Sequence, residues 1–105
     1  PELDAQPSDL VSTRHTGMTP VTGTDLDAQL RAHGIDTVVA TGVSLNLGVL
    51  GLVISLADLG YRVVVPRDAV AGIPAEYAAA VLDGTIALLA TLTTAGEVAG
   101  QLSRR

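Results

Sequence analysis

The sequence predicts an α/β fold in which helices cover both faces of a parallel sheet, a three-layer arrangement. Two short β-branched runs, Thr37–Thr41 and Tyr61–Val65, are bounded by turn residues, as buried strands are. Each run is followed by a segment whose apolar residues have helical spacing. Strands that alternate with helices of about ten to fifteen residues are typical of right-handed βαβ units. The stretch Thr37–Gly51, a strand followed by a Gly-Val-Ser turn and a helix, is the predicted centre of this fold.

Each element is predicted from its apolar spacing and its capping residues. Thr24 with Asp27 has the spacing of a capping box at a helix start. Thr94 and Glu97 have the same capping-box spacing at the start of the terminal helix. In chain order we predict a polar leader (residues 1–9), a strand (Asp9–Arg14), a loop (His15–Gly23), a helix from Thr24 to Gly34, the strand Thr37–Thr41, a helix from Asn46 to Leu59, the strand Tyr61–Val65, a helix from Glu76 to Leu89, an edge strand (Thr91–Thr94) and a terminal helix ending near Leu102.

The predicted helix Asn46–Leu59 is apolar on all sides, and only Ser55 and Asp58 are clearly polar. Such a helix is buried on more than one side. A chain of 105 residues offers too little other material to bury it, so a partner surface is expected. We therefore predict a homo-oligomer, or a missing amino-terminal half that packs on this helix.

Composition excludes several classes of function. The net charge is −5, and there is no Phe or Trp to stack on bases, so no nucleic-acid partner is expected. The chain has no Cys, which excludes disulfides, thiolate metal sites and a thiol nucleophile. The two histidines lack carboxylates at ligand spacing, so no metal is predicted. No cofactor and no membrane partner are expected, and a cytoplasmic location is predicted.

Four motifs together resemble the isochorismatase-like family, also called cysteine hydrolases. Gly23-Thr24-Asp25-Leu26 opens a helix, and Leu30-Arg31-Ala32-His33-Gly34-Ile35 closes it. Thr41-Gly42-Val43-Ser44 follows the central strand, and Leu59–Val65 followed by Asp68-Ala69-Val70-Ala71 completes the series. The resemblance runs from about Asp9 to Val98 and implies the isochorismatase-like hydrolase fold, here in part.

The resemblance implies a chemistry that this chain does not fully carry. Family members use an acid on the first strand, a lysine after the third strand and a cysteine in the turn that follows the Gly-Val-Ser motif. The backbone N–H groups of that turn, positioned by a cis peptide that would here join Val43 and Ser44, stabilise an oxyanion. In this sequence Gly48 stands at the cysteine position, and Arg14 or His15 at the lysine position.

The acid-bearing first strand has no counterpart, so the chain resembles one domain, residues 1–105, without its amino-terminal strands. In the family's strand order, Asp9–Arg14 would then lack a neighbour and Thr37–Thr41 would have a bare edge. Gly48 has a second interpretation, because true isochorismatases also carry glycine there. They hydrolyse a vinyl ether, for which protonation by the acid replaces nucleophilic attack. Their aromatic and histidine residues in this turn are absent here.

Four of the candidate site residues have a structural as well as a functional interpretation. Arg14 is either a fixed cation beside an acid or a solvated strand end, and His15 either carries a proton or bonds locally. Asn46 either bonds a ligand or caps the helix. Gly48 either opens space for substrate or allows close helix packing.

The predicted function is that of an isochorismatase-family hydrolase acting on a small molecule, with a degenerate site. Catalytic roles are assigned to Arg14 and His15, and substrate binding to Val43, Ser44, Asn46 and Gly48. Thiolate-driven amide hydrolysis is excluded because the chain has no thiol. Vinyl-ether hydrolysis requires that the missing acid be supplied. The alternative is a non-catalytic pseudoenzyme or oligomerisation module.

Overall fold

The computed structural model describes Val21 and residues 24–103 of the 105-residue chain. The predicted strand Asp9–Arg14 lies outside this part. The elements, in chain order, are α1 (Leu26–Ala32), β1 (Thr37–Val39), β2 (Gly42–Val43), a π-helical turn (Leu45–Val49), α2 (Leu50–Asp58), β3 (Arg62–Pro66), a 3-10 turn (Arg67–Ala69), β4 (Val70–Ala71), α3 (Ala75–Val81), a second π-helical turn (Leu82–Ile86), α4 (Ala87–Leu89), β5 (Thr91–Thr93) and α5 (Ala95–Ser103).

Two parallel ladders organise these elements and confirm the predicted parallel α/β fold. The main sheet has the order β1–β3–β5, with Val38 opposite Val63 and Val65 opposite Leu92. The short strands β2 and β4 form a second ladder beyond its carboxyl end. β5 is an edge strand, as predicted. β1 pairs with no other strand of the described residues on its second side, so that edge is bare here.

Alternate residues of the sheet face two different layers, because successive side chains of a strand point to opposite faces. Val63 and Val65 are almost fully buried in the main core. Val39 and Val64 instead line a groove with Val98 of α5. The main core combines the sheet with α2, α3 and the turns beside them: Val21, Ala40, Leu45, Val49, Val53, Leu56, Tyr61, Val63, Val65, Ala78, Val81, Leu82 and Ile86.

One predicted boundary was wrong, and two predicted helices contain π-helical turns. The strand predicted over Thr37–Thr41 ends at Val39, because the chain turns at Gly42 (φ +122°) to pair with β4 rather than β3. The helix predicted from Asn46 begins at Leu45, and its first turn is π-helical. The helix predicted over residues 76–89 contains a π-helical turn in its middle, which the apolar spacing does not distinguish from an α-helix.

The two predicted capping boxes form only in part. The N-cap residue of α1 is Asp25 rather than the predicted Thr24. Thr24 Oγ1 accepts the Leu26 N–H at 3.3 Å, but Asp27 does not bond back to the helix start. Its carboxylate binds Tyr61 instead. At α5, Thr94 Oγ1 accepts the Glu97 N–H at 3.2 Å, as predicted. The Glu97 carboxylate then accepts a bond from the Thr93 hydroxyl at 2.7 Å, so the reciprocal half is absent.

A polar cluster joins α1 to the start of β3. The buried Tyr61 hydroxyl donates to Asp27 Oδ1 at 2.5 Å, and Arg31 lies over the Tyr61 ring, 4.3 Å from its centroid. Arg31 also bonds Asp27 at 3.2 Å and donates to the Leu59 carbonyl at 2.6 Å. The hydrogen bond from Tyr61 lowers the pKa of Asp27. Desolvation, together with the bond to Asp27, raises the pKa of Tyr61.

The apolar helix leaves part of its surface exposed. Leu47 and Ile54 keep 56% and 47% of their surface, whereas Val53 and Leu56 are fully buried. Val21 and residues 24–103 therefore leave part of this helix uncovered, and the predicted partner surface stays a prediction. Within the described residues, every helix is too short or too polar to cross a lipid bilayer.

Candidate functional site

The site turn, Gly42–Gly48, lies at the carboxyl end of the parallel strands, as predicted. Its first residues form β2, which pairs with β4 through Gly42–Val70 and Val43–Ala71. Ser44 is extended (φ −87°, ψ 136°) and is the N-cap of the helix that follows. Leu45 is buried and fixes the turn to the core. The N–H groups of the first helical turn therefore begin directly after Ser44, where few intrahelical acceptors are available.

The peptide bond between Val43 and Ser44 is cis. The family resemblance implied a cis peptide at this position. A second cis peptide joins Ile73 and Pro74, in the segment after β4.

A chain of side-chain hydrogen bonds connects the site turn to the segment after β4. Ser44 Oγ donates to Asn46 Oδ1 at 2.8 Å, and Asn46 Nδ2 donates to the Ile73 carbonyl at 3.3 Å. The Ile73 carbonyl can only accept, so the amide nitrogen of Asn46 must face it. Ser44, rather than Asn46, is the N-cap, and the Asn46 side chain connects two segments instead of capping the helix.

Gly48 has room for a side-chain carbon. Among the described residues outside its chain neighbours and its own helix, a Cβ built on it meets only the Val43 carbonyl oxygen within 4 Å, at 3.9 Å, an ordinary van der Waals contact. Close helix packing is therefore not what requires glycine here. The absence of a side chain leaves room beside the Val43 carbonyl.

Gly72 is the residue at this site that sequence reasoning missed. A Cβ there would lie 2.5 Å from Asn46 Oδ1, 2.9 Å from Ala78 Cβ and 3.3 Å from Leu45 Cβ. Only glycine lets the segment after β4 approach Asn46 this closely. The available signal is the Gly-Ile-Pro sequence directly after the Asp68-Ala69-Val70-Ala71 motif.

A cavity of about 280 Å³ adjoins this contact. Most of its lining residues are apolar, among them Leu45, Gly72 and Ala78. Arg67 also lines it and pairs with Asp83, Nη2 to Oδ1 at 2.6 Å. The positive charge of Arg67 is thus already matched within the protein.

The predicted site residues divide into two groups. Val43 is 79% exposed, and Ser44, Asn46 and Gly48 are half-buried in the same turn, so the structure brings these four together. The predicted catalytic residues are Arg14 and His15, and both lie outside the described residues.

Among the described residues, His33 has a structural role. It is the C-cap of α1, and its Nδ1 lies 2.8 Å from the Gln29 carbonyl oxygen. In the described part of the chain, no three His, Cys, Asp or Glu side chains are grouped as a metal site.

Comparison with known proteins decides the family. The sequence model of the Isochorismatase domain matches residues 1–97 of the chain. The chain belongs to the isochorismatase family. It is 44% identical over 54 residues to YecD, an uncharacterized isochorismatase family protein of Escherichia coli O157:H7; that alignment covers 51% of the chain and 29% of YecD.

Solved structures of the isochorismatase family agree with this assignment. An isochorismatase family protein from Burkholderia thailandensis is 37% identical with a TM-score of 0.83, over 88% of this chain and 48% of that one. The pyrazinamidase/nicotinamidase of Streptococcus mutans is 36% identical with a TM-score of 0.62, over 76% of this chain and 44% of that enzyme. The chain thus spans less than half the length of these relatives.

Proposed function

We propose that this chain contributes the site turn of a small-molecule hydrolase that works by acid protonation and not by thiolate attack. Gly48 carries this proposal: the family's nucleophile position has no side chain, and the chain contains no cysteine. Outside its chain neighbours and its own helix, the nearest described atom to a Cβ built there is the Val43 carbonyl oxygen at 3.9 Å, so the position leaves room for a substrate.

The reaction class that suits such a site is hydrolysis of a vinyl ether. An acid transfers its proton to the terminal vinyl carbon, which leaves an oxocarbenium ion. Water adds to that ion, and the resulting hemiketal breaks its C–O bond to give a carbonyl compound and an alcohol. One water is consumed, the acid regains its proton, and no protein nucleophile is needed.

The individual roles follow from position and chemistry. Val43, Ser44, Asn46 and Gly48 shape the substrate site. Arg14 and His15 are proposed as the remaining catalytic residues. Arginine is a permanent cation that can hold an acid or a substrate carboxylate, and the imidazole can carry a proton near neutral pH. The acid itself must be supplied by a strand beyond the bare edge of β1.

Amide hydrolysis is the competing reaction, since a structural relative is a nicotinamidase. The two reactions are separated by incubating the native polypeptide with isochorismate, a vinyl ether, and with nicotinamide, and by following both by proton NMR. We expect turnover of isochorismate only, unaffected by iodoacetamide. Gly48→Ala places a methyl group in the substrate space and is expected to slow turnover without destabilising the fold. Turnover of nicotinamide, or of neither compound, would contradict the proposal.

A non-catalytic interaction module is the second candidate. The observations that favour it are the exposed Leu47 and Ile54 and the bare edge of β1. A homo-oligomer, or packing against an amino-terminal half, would cover both features in a cytoplasmic protein. Sedimentation of the native polypeptide tests it, because a monodisperse monomer would leave these surfaces without a partner.

A further inference from the structure

We propose that Asn46 is a positioning residue whose side chain fixes the site turn to the segment after β4, and that Gly72 is glycine to allow this contact. We call the Asn46 side chain with its two hydrogen bonds the strut. Its oxygen accepts from Ser44 Oγ at 2.8 Å, and its nitrogen donates to the Ile73 carbonyl at 3.3 Å.

Steric evidence independent of these bonds leads to the same contact. The Cβ position of Gly72 lies 2.5 Å from Asn46 Oδ1, a separation that real Cβ atoms do not show. Ala78 Cβ at 2.9 Å and Leu45 Cβ at 3.3 Å close the other sides of Gly72. Asn46 is thus held between two hydrogen-bond partners and a closely packed backbone.

The strut acts on the catalytic geometry through its neighbours. Ser44 is the N-cap of the helix that begins at Leu45, and its hydroxyl donates to Asn46. The strut therefore fixes the residue directly before the helical N–H groups. Those N–H groups lie one turn before Gly48. A change at Asn46 should therefore alter the electrostatics at position 48 although Asn46 need not touch the substrate.

A thiol introduced at position 48 reports on this effect without any substrate. Because the chain has no cysteine, Gly48→Cys creates a single thiol in a space that accepts a Cβ. The pH dependence of its alkylation by iodoacetamide gives its pKa. A thiol near helical N–H groups has a pKa below the ~8.5 of a free cysteine.

In the Gly48→Cys protein, we expect Asn46→Ala to raise the thiol pKa. A rise of roughly half a pH unit slows alkylation about threefold below the pKa, since the thiolate is the reactive form. Ser44→Ala breaks one of the two strut bonds and should shift the pKa in the same direction by less, which keeps the test available if Asn46→Ala does not fold. Gly84→Ala, a substitution in open space on another helix, is the matched control and should shift nothing.

A double-mutant cycle tests the role of Gly72. Gly72→Ala alone should lower the urea midpoint of unfolding, because its methyl group clashes with Asn46. In the Asn46→Ala protein the same change should cost less, because that clash is removed. Equal costs in both backgrounds, or a thiol pKa that neither Asn46→Ala nor Ser44→Ala changes, would overturn the proposal.

The catalytic consequence of the strut rests on the proposed function, but these two measurements do not. If isochorismate is not hydrolysed, the thiol pKa and the cycle still decide whether the strut exists. If isochorismate is hydrolysed and Asn46→Ala leaves both the thiol pKa and the rate of turnover unchanged, the strut is wrong and the proposed function stands.

Discussion

Two glycines of the site have opposite reasons to be glycine. Gly48 faces space, with one atom at 3.9 Å from its Cβ position, whereas the Cβ position of Gly72 overlaps Asn46 and Ala78. Neither has a positive φ that would itself require glycine. The difference between them is therefore steric, and a methyl group added at each position measures it.

Gly72→Ala is expected to destabilise the protein by about 1–3 kcal/mol, the usual cost of overpacking a filled site. Gly48→Ala is expected to stabilise it by up to ~1 kcal/mol, because alanine is the better helix former. Urea unfolding at pH 7 measures both. A Gly72→Ala protein as stable as the parent would show that the segment after β4 can move away from Asn46.

Asp27 and Tyr61 predict how stability depends on pH. The pKa of Asp27 is lowered in the folded protein, mainly by the Tyr61 hydrogen bond, so this contribution is complete above the ordinary value of 3.8. It is lost as the pH falls through the lower, folded pKa. The pKa of Tyr61 is raised above 10.0, so its contribution is present below that value and lost as the pH rises through the folded pKa.

Tyr61→Phe removes the hydroxyl and keeps the ring under Arg31. We expect it to lower stability at pH 7 and to lower it less at pH 2, because the ionised share of Asp27 falls as the pH drops below 3.8. Urea midpoints of the two proteins at each pH measure this difference. Equal losses at pH 7 and pH 2 would mean that the Tyr61 bond does not favour ionised Asp27.

At the scale of elements, one carboxylate bonds the start of α5 to the turn after β3. Asp68, in the turn after β3, accepts the N–H of Ala95 at 2.7 Å, at the first residue of α5. The partner of Asp68 is therefore the start of a helix 27 residues further along the chain. A carboxylate at this end also complements the helix dipole.

Asp68→Ala is expected to cost about 1 kcal/mol, as the loss of a cap does, and to speed amide hydrogen exchange at Ala95 and Gly96. Thr93→Ala, which removes a bond to Glu97 but none to these amides, serves as control. Unchanged exchange in Asp68→Ala would show that α5 is held by its apolar contacts alone.

The elements that the sequence predicted well are those with local causes. The runs of β-branched residues around Val38 and Val64 mark buried strands, and Gly34 (φ +68°) ends α1 as predicted, with its N–H bonded to the Arg31 carbonyl. Asp27 was misassigned to a cap because its partner, Tyr61, lies 34 residues away. That contact depends on how α1 packs, which local spacing does not contain.

For the candidate site too, the sequence predicts the local features but not the long-range contacts. The position of the site turn follows from the strand that precedes it, and Gly48 from the family motif. The strut was not predictable, because the Asn46–Ile73 bond spans 27 residues and depends on β2 pairing with β4. Glycine at position 72 looks like any loop glycine until Asn46 is placed beside it.

At the scale of the whole molecule, the helix that begins at Leu45 exposes apolar side chains such as Leu47 and Ile54. We expect the native polypeptide to sediment as an assembly larger than a 10.7 kDa monomer, or as a longer chain that packs on this surface. In an assembly, Ile54→Gln should lower the sedimenting mass because it places an amide in an apolar contact. Leu88→Gln, at a leucine that is 82% exposed on α4, is the matched control. If both variants sediment with the same mass, α2 is not part of the interface.

The central claim is that the site turn supports hydrolysis without a thiol, and the most direct measurement is proton NMR of isochorismate incubated with the native polypeptide, with and without iodoacetamide. We predict the loss of the vinyl ether signals at the same rate in both samples, and a slower loss with Gly48→Ala although that protein is no less stable than the parent. Vinyl ether signals that decay no faster than in the protein-free sample would contradict the claim. The exposed helix surface would then favour the non-catalytic interaction module.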